Sequence, residues 1–290
     1  MKLVNLFSFN NIYILLSLSM ISWAIAWTNA KIVGEYLSFY NLIFFRFLLG
    51  FISLLPFLIF NNKQFPNLKS LKYIIIPSIL FFIYNIAFFK GTHFGDAGRG
   101  AILVTTLNPL FTLLIISLIR KKIILKEILG ISIGILGGLI IMDVFKYGIQ
   151  SIFDIKNIYF LICALTWGVM TVFIDLAQKK MNSYVFIGLC YFFTMILSIF
   201  FTDFNSIHFS ALDFRFYLNF FLVSIGAMSF GTSIYMYSTS IIGPIKASVF
   251  IFSVPFIAMG TAYFFLDEIF LLNTIIGGLI SLIAIYIVNK

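Results

Sequence analysis

Ten apolar stretches punctuate the chain, near residues 12–30, 37–60, 73–91, 100–119, 127–143, 158–178, 184–202, 216–238, 247–265 and 273–288. A helix rises about 1.5 Å per residue, so about 20 apolar residues span the roughly 30 Å hydrocarbon layer of a bilayer. Runs of this length predict membrane helices rather than barrel strands. A helix satisfies its own backbone groups where lipid offers them no partner. The fifth and tenth runs are the shortest, which suits upright helices with little tilt. The longest connections fall near 61–72, 144–157 and 203–215, and none is large enough for a soluble domain.

The pattern repeats at half its length. Ser22-Trp23 returns as Thr166-Trp167, and Ser38-Phe39 as Ser183-Tyr184. Arg99-Gly100-Ala101 corresponds to Lys246-Ala247-Ser248, Pro109 to Pro255, and Gly130 to Gly277. The spacing predicts two copies of one unit, residues 1–145 and 146–290, each with five helices. An odd number of crossings starts the second copy from the opposite side of the membrane. The copies are therefore expected to be inverted about an axis in the membrane plane, an arrangement that lets two halves exchange roles as gates.

Composition agrees with this reading. Hydrophobic residues make up 62% of the 290 positions and charged residues 10%, against roughly 45–50% and about 25% in soluble domains. In a soluble chain the net charge of +9 would suggest nucleic acid. Here it is expected to reflect lysines facing anionic lipid. With the N-terminus placed in the cytoplasm, twelve Lys and Arg residues fall inside and six outside, while Glu35, Asp96, Asp154, Asp203, Asp213, Asp267 and Glu268 all fall outside. Both termini are therefore expected in the cytoplasm, in a multi-pass protein of the inner (plasma) membrane. The first run is long, contains Trp23 and Trp27 and is echoed in mid-chain, which argues against a cleaved leader.

The ten runs in two repeats, with Trp23 early in the first, Arg46-Phe47 in the second, Asn108-Pro109 in the fourth and Gly130 and Gly137 in the fifth, resemble the EamA-like family of the drug/metabolite transporter superfamily. The resemblance covers essentially the whole chain. It rests on order, spacing and duplication more than on any one motif. The family pattern places a glutamate nine residues before the glycine of the fifth or tenth helix. Glu268 before Gly277 keeps it, whereas Lys121 stands in that place in the first repeat. The resemblance implies a transporter, chiefly an exporter, of amino acids and other small metabolites.

Arg46 is the sharpest chemical signal. A guanidinium at mid-bilayer costs at least about 2.5–3.5 kcal/mol, so it must face the bundle interior or a water-filled cavity. There it either binds a substrate anion through its planar fork or ties the structure together through backbone carbonyls or a carboxylate at a helix end. Ser22, Ala26 and Asn29 share one face of the first helix, beside Trp23 and Trp27, and Trp167 repeats Trp23. Paired tryptophans at repeat-related positions can wall a central pocket. Asn85 in the third run, Asn108 in the fourth and Tyr235 in the polar eighth complete the expected substrate-lining set of Trp23, Asn29, Arg46, Asn85, Asn108, Trp167 and Tyr235. Pro109 and Pro255 are expected to break corresponding helices and to serve gating. Gly226 and Gly231 in the eighth run read as helix-packing positions.

Other chemistry finds little support. Cys163 and Cys190 lie in apolar runs, and His93 and His208 are far apart in loops, so neither a disulfide framework nor a metal site is indicated. No nucleotide loop, nucleophile triad or cofactor motif is present. Asp175 is the one fair candidate for a coupling carboxylate. The sequence therefore reads as an all-α integral membrane transporter, not an enzyme, moving a small organic metabolite without cofactor or nucleic acid, with a homodimer left open. The competing reading is a non-transport membrane protein, either a lipid-acting enzyme or an assembly subunit. The enzyme would need clustered acids, histidines or cysteines at one membrane surface.

Overall fold

The computed structural model describes residues 9–60, 66, 70–121, 125–242 and 250–289. The described residues are mostly helical, with no strand among them. Six helical stretches are long and apolar enough to cross a membrane: Asn11–Val33, Phe39–Pro56, Lys72–Phe94, Ala97–Ile119, Ile155–Ile174 and Phe214–Ser238. Four shorter apolar helices, Ile128–Ile141, Ser183–Ile199, Val254–Leu266 and Leu272–Ala284, accompany them.

The first half contains α1 (Phe9–Val33), α2 (Phe39–Phe60), α3 (Lys72–Phe94), α4 (Ala97–Arg120) and α5 (Leu125–Ile141). A short α6 (Val144–Tyr147) and a 3-10 turn (Ile149–Phe153) link it to the second half. That half contains α7 (Ile155–Gln178), α8 (Ser183–Ile199), α9 (Phe214–Phe221), α10 (Ser233–Ile242), α11 (Val254–Leu266) and α12 (Leu272–Asn289). The connection joining α9 to α10 is itself helical but of π type, Leu222–Thr232. The run expected at 216–238 is thus one long helix with an eleven-residue π segment at its centre.

Short polar residues start three helices of the second half. Asp154 accepts the Lys156 backbone N–H at 3.0 Å, Asn182 that of Tyr184 at 3.0 Å, and Asp213 that of Phe216 at 2.8 Å. Such side chains satisfy N–H groups that the first turn leaves without helical partners. Asp213 also accepts a hydrogen bond from the Tyr36 hydroxyl at 3.1 Å, joining the α1–α2 loop to the start of α9. That backbone bond, followed by the phenol, holds the Asp213 carboxyl below its ordinary range.

Several helix contacts between the two halves come in matched pairs. α3 packs on α7 as α1 packs on the π segment; α4 packs on α7 as α1 packs on α11; α3 packs on α8 as α2 packs on the π segment. Three pairs map onto themselves: α2 with α8, α4 with α11, and α5 with α12. Exchange of the halves leaves this set of neighbours unchanged. Lys121 after α4 and Asp267 after α11 both adopt a left-handed backbone, φ 52° and 54°, at the offset that relates Pro109 to Pro255. The α5–α12 crossing is tight enough to need glycine on both sides. A β-carbon on Gly277 would lie 2.6 Å from the Gly137 carbonyl oxygen, and one on Gly137 would lie 2.7 Å from that of Gly277.

The molecule is apolar outside as well as inside. Phe264 is 77% exposed and Leu118 62%, as suits a surface solvated by lipid chains. The interior carries an unusual share of polar side chains, among them Asn29, Asn41, Arg46, Asn85, Asn108 and Thr232. Serine and threonine hydroxyls there bond back to helix carbonyls one turn earlier, as Thr105 does to Ala101 and Thr106 to Ile102.

Candidate functional site

A cavity of about 70 Å³ lies where the halves meet. Its wall comes from α1, α2, α3 and α4 of the first half and from α7, the π segment, the Phe250–Ser253 turn and α11 of the second. It is largely aromatic. Trp23 and Trp167, the repeat-related pair, meet edge to face with ring centres 5.6 Å apart. Tyr84 packs on Trp167 at 5.1 Å and Phe81 at 6.2 Å. All three tryptophans of the chain, Trp23, Trp27 and Trp167, line this one space.

Arg46 is 5% exposed and lines the same cavity. Its Nε donates to the Val223 carbonyl at 3.0 Å and its Nη1 to the Asn85 Oδ1 at 2.6 Å. Asn85 is oriented in turn by donating to the Phe81 carbonyl at 2.8 Å. The guanidinium carbon lies 5.1 Å from the Phe88 ring centre and 5.6 Å from that of Phe89, within cation–π range. The arginine therefore serves as the helix tie that the sequence allowed, at the wall of the cavity. It ties α2 to α3 and to the π segment, and it presents a buried positive charge to the cavity.

The π segment supplies carbonyls to side chains of other helices. Ala227 accepts from Trp23 Nε1 at 3.1 Å and from the Thr232 hydroxyl five residues on at 3.2 Å. Met228 accepts from the Tyr191 hydroxyl at 3.0 Å, and Gly231 from the Ser19 hydroxyl at 2.7 Å. π turns in helices are rare and are often found at functional sites. Gly226 and Gly231 are five residues apart, one π turn, and face Ser22 and Trp23 of α1. That spacing was the available sequence signal, and a period-3.6 reading of the eighth run passes over it.

The structure brings Trp23, Arg46, Asn85, Asn108 and Trp167 together on this cavity. Tyr235 packs against Trp23 with ring centres 4.9 Å apart, but is not among the lining residues. Asn29 is buried at 3% exposure away from the cavity lining, because it lies one turn beyond Ala26 on α1, and its amide nitrogen has no hydrogen-bond partner among the described residues. α4 continues through position 109 without interruption, although the Pro109 side chain itself is outside the described residues. Pro255 stands in the first turn of α11, after the Phe250–Ser253 turn, and borders a separate void of about 10 Å³. Lys246-Ala247-Ser248 and the Asp175 side chain also lie outside the described residues. Sequence reasoning did not place Thr105, Phe81 and Phe88 on the wall. They are ordinary residues for a membrane helix, and only helix packing selects them.

A second polar cluster lies away from the cavity. Glu268 pairs with Lys31 at 2.8 Å and accepts the backbone N–H groups of Ala97 and Gly98 at 2.8 and 2.9 Å. Lys31 also donates to the Gly95 carbonyl at 3.2 Å. The second half thus caps the first turn of α4 with its own carboxylate. Arg99 likewise meets Asp143 at 3.2 Å, and Asn273 of α12 donates to Asp143 at 2.9 Å. Among the described residues no group of three or more His, Cys, Asp or Glu side chains could hold a metal ion.

No curated protein matches the sequence at a significant level. Among the solved structures that share the fold is a crystal structure with a TM-score of 0.64 at 13% identity over 96% of this chain and 96% of that one. The EamA-like transporter family matches residues 10–143 and again residues 155–290. With nearly the whole chain covered by two copies of that unit, the protein belongs to the EamA-like transporter family.

Proposed function

We propose that this protein is a secondary transporter, an exporter or exchanger, of a small organic metabolite such as an amino acid, working by alternating access in the inner (plasma) membrane. In this reading ten helices form two inverted five-helix repeats, residues 1–145 and 146–290, with both termini in the cytoplasm. The observation that carries it is the aromatic cavity around Arg46, closed by helices of both halves. A small change in how the halves meet opens such a space to one side or the other. The backbone-close α5–α12 crossing at Gly137 and Gly277 is the natural fixed support for that rocking. Membership of the EamA-like transporter family favours this reading over a lipid-acting enzyme.

The test of transport is metabolite profiling of cells expressing the chain, its Arg46→Ala variant or an empty vector. A metabolite released by the first alone supports the reading. Its equal release by the Arg46→Ala variant would remove this cavity from the route. Orientation is tested by labelling single cysteines at 121 and 209, both exposed positions, against a background where Cys163 and Cys190 are buried. Position 121 should react from the cytoplasmic side and 209 from outside, and the reverse would invert the topology.

A further inference from the structure

We infer that the transported molecule is a monoanion with a flat apolar body and no cationic centre, so that the site selects an organic acid over the matching amino acid or amine. This rests on the proposal that the cavity is the transport site, and among the small organic metabolites of that proposal it narrows the choice to acids rather than amino acids. The argument is one of charge balance. Arg46 is the one charged residue among the described residues lining the cavity. Among the described residues it has no carboxylate partner, since the two ion pairs found are Lys31–Glu268 and Arg99–Asp143. Its Nε and Nη1 are engaged, but Nη2 has no hydrogen-bond partner among the described residues. A guanidinium removed from water strongly favours a ligand that brings the missing negative charge. A ligand ammonium would find no acid among the described lining residues and would add a second positive charge in a low-dielectric space.

The remaining wall fixes the rest of the ligand. Trp23, Tyr84, Phe88 and Trp167 offer ring surfaces suited to a planar apolar group. Asn108, from α4, is 8% exposed and its carboxamide makes no hydrogen bond to described residues. It is available to a neutral polar group such as a hydroxyl or carbonyl.

The test uses the full chain in lipid nanodiscs and its own fluorescence, because every tryptophan lines the cavity. Three probes of similar body and different charge are titrated: 3-phenylpropanoate, phenylalanine and phenethylamine. The anion should bind at least about tenfold tighter than the zwitterion, a difference of about 1.4 kcal/mol, and the amine should give no saturable change. Arg46→Gln should abolish the preference and Arg46→Lys should keep its direction. Equal or tighter binding of phenylalanine or phenethylamine overturns the inference, as does an unchanged preference in Arg46→Gln or no response to any probe. The wild-type series decides even if a variant fails to fold. Saturable anion binding without counterflow of the anion in vesicles would support the charge selection and overturn the transport reading alone.

Discussion

Glu268 offers a perturbation whose consequences separate two physical roles. Its carboxylate holds Lys31, and it also receives the first two backbone N–H groups of α4. The lysine side chain is 26% exposed and the glutamate side chain 5%. The ion pair itself is therefore screened on one side and should contribute about 1 kcal/mol or less. The two N–H groups are different. Asp96, at the cap position, makes no side-chain bond to them, so removing Glu268 leaves them without an acceptor at about 1–3 kcal/mol each. Glu268→Ala should then destabilise the protein by roughly 2–6 kcal/mol. Glu268→Gln keeps one of the two acceptor oxygens, turns a donor toward the other N–H group and loses the negative charge at a helix N-terminus, for about 2–4 kcal/mol. Lys31→Met should cost the least of the three. The decisive variant is the charge swap, Lys31→Glu with Glu268→Lys. It restores the pair but directs an ammonium at the α4 N-terminus, so it should not recover stability. Thermal unfolding of the purified protein in one detergent orders the four variants. A swap as stable as the starting protein, or a Lys31→Met loss as large as that of Glu268→Ala, would refute the capping argument.

Further outcomes follow from other contacts. Gly277→Ala should destabilise by about 3 kcal/mol, the upper end for overpacking, because its new methyl meets the Gly137 backbone. Gly260→Ala, with nothing within 4 Å of the added carbon, should be neutral or stabilise by about 0.5–1 kcal/mol; equal losses in thermal unfolding would sink the contrast. Trp23→Phe should cost about 1 kcal/mol, since Ala227 keeps its bond from Thr232, and should dim the cavity's fluorescence; a collapse in stability would mean the indole does more than donate that bond. The depressed Asp213 carboxyl gives stability that is present above the ordinary carboxylate pKa of about 3.9 and is lost as pH falls through its lower folded value. The thermal penalty of Asp213→Asn should therefore be present at neutral pH and fade in strong acid, and a penalty independent of pH would refute it.

Much of the architecture was legible because lipid imposes a one-dimensional rule. Any spanning segment must be a long apolar helix, so the runs, their all-helical class and the half-length repeat could be read from spacing alone. The central signals were legible for the same reason. Arg46, Asn85 and the repeated tryptophans stood out because a polar or large amphipathic group deep in an apolar run needs a reason to be there. Asn29 stood out equally, yet lies buried away from the cavity lining, because burial and cavity lining leave the same mark on a sequence.

What only the tertiary structure decided concerns contacts between distant residues. No local pattern indicates that Val223 bonds Arg46, or that Glu268 caps a helix some 170 residues earlier. The π segment belongs to this class too. Its widened turn exists where Trp23, Tyr191, Arg46 and Ser19 from three other helices engage its carbonyls. Helix type is usually set locally, but here the neighbours are part of what holds it. The sequence determined that this chain crosses a membrane as two related halves with a cation buried in the first. Packing decided which aromatic side chains surround that cation, and that no described carboxylate neutralises it. Charge and shape complementarity are properties of surfaces that meet in space, and spacing along the chain does not encode them.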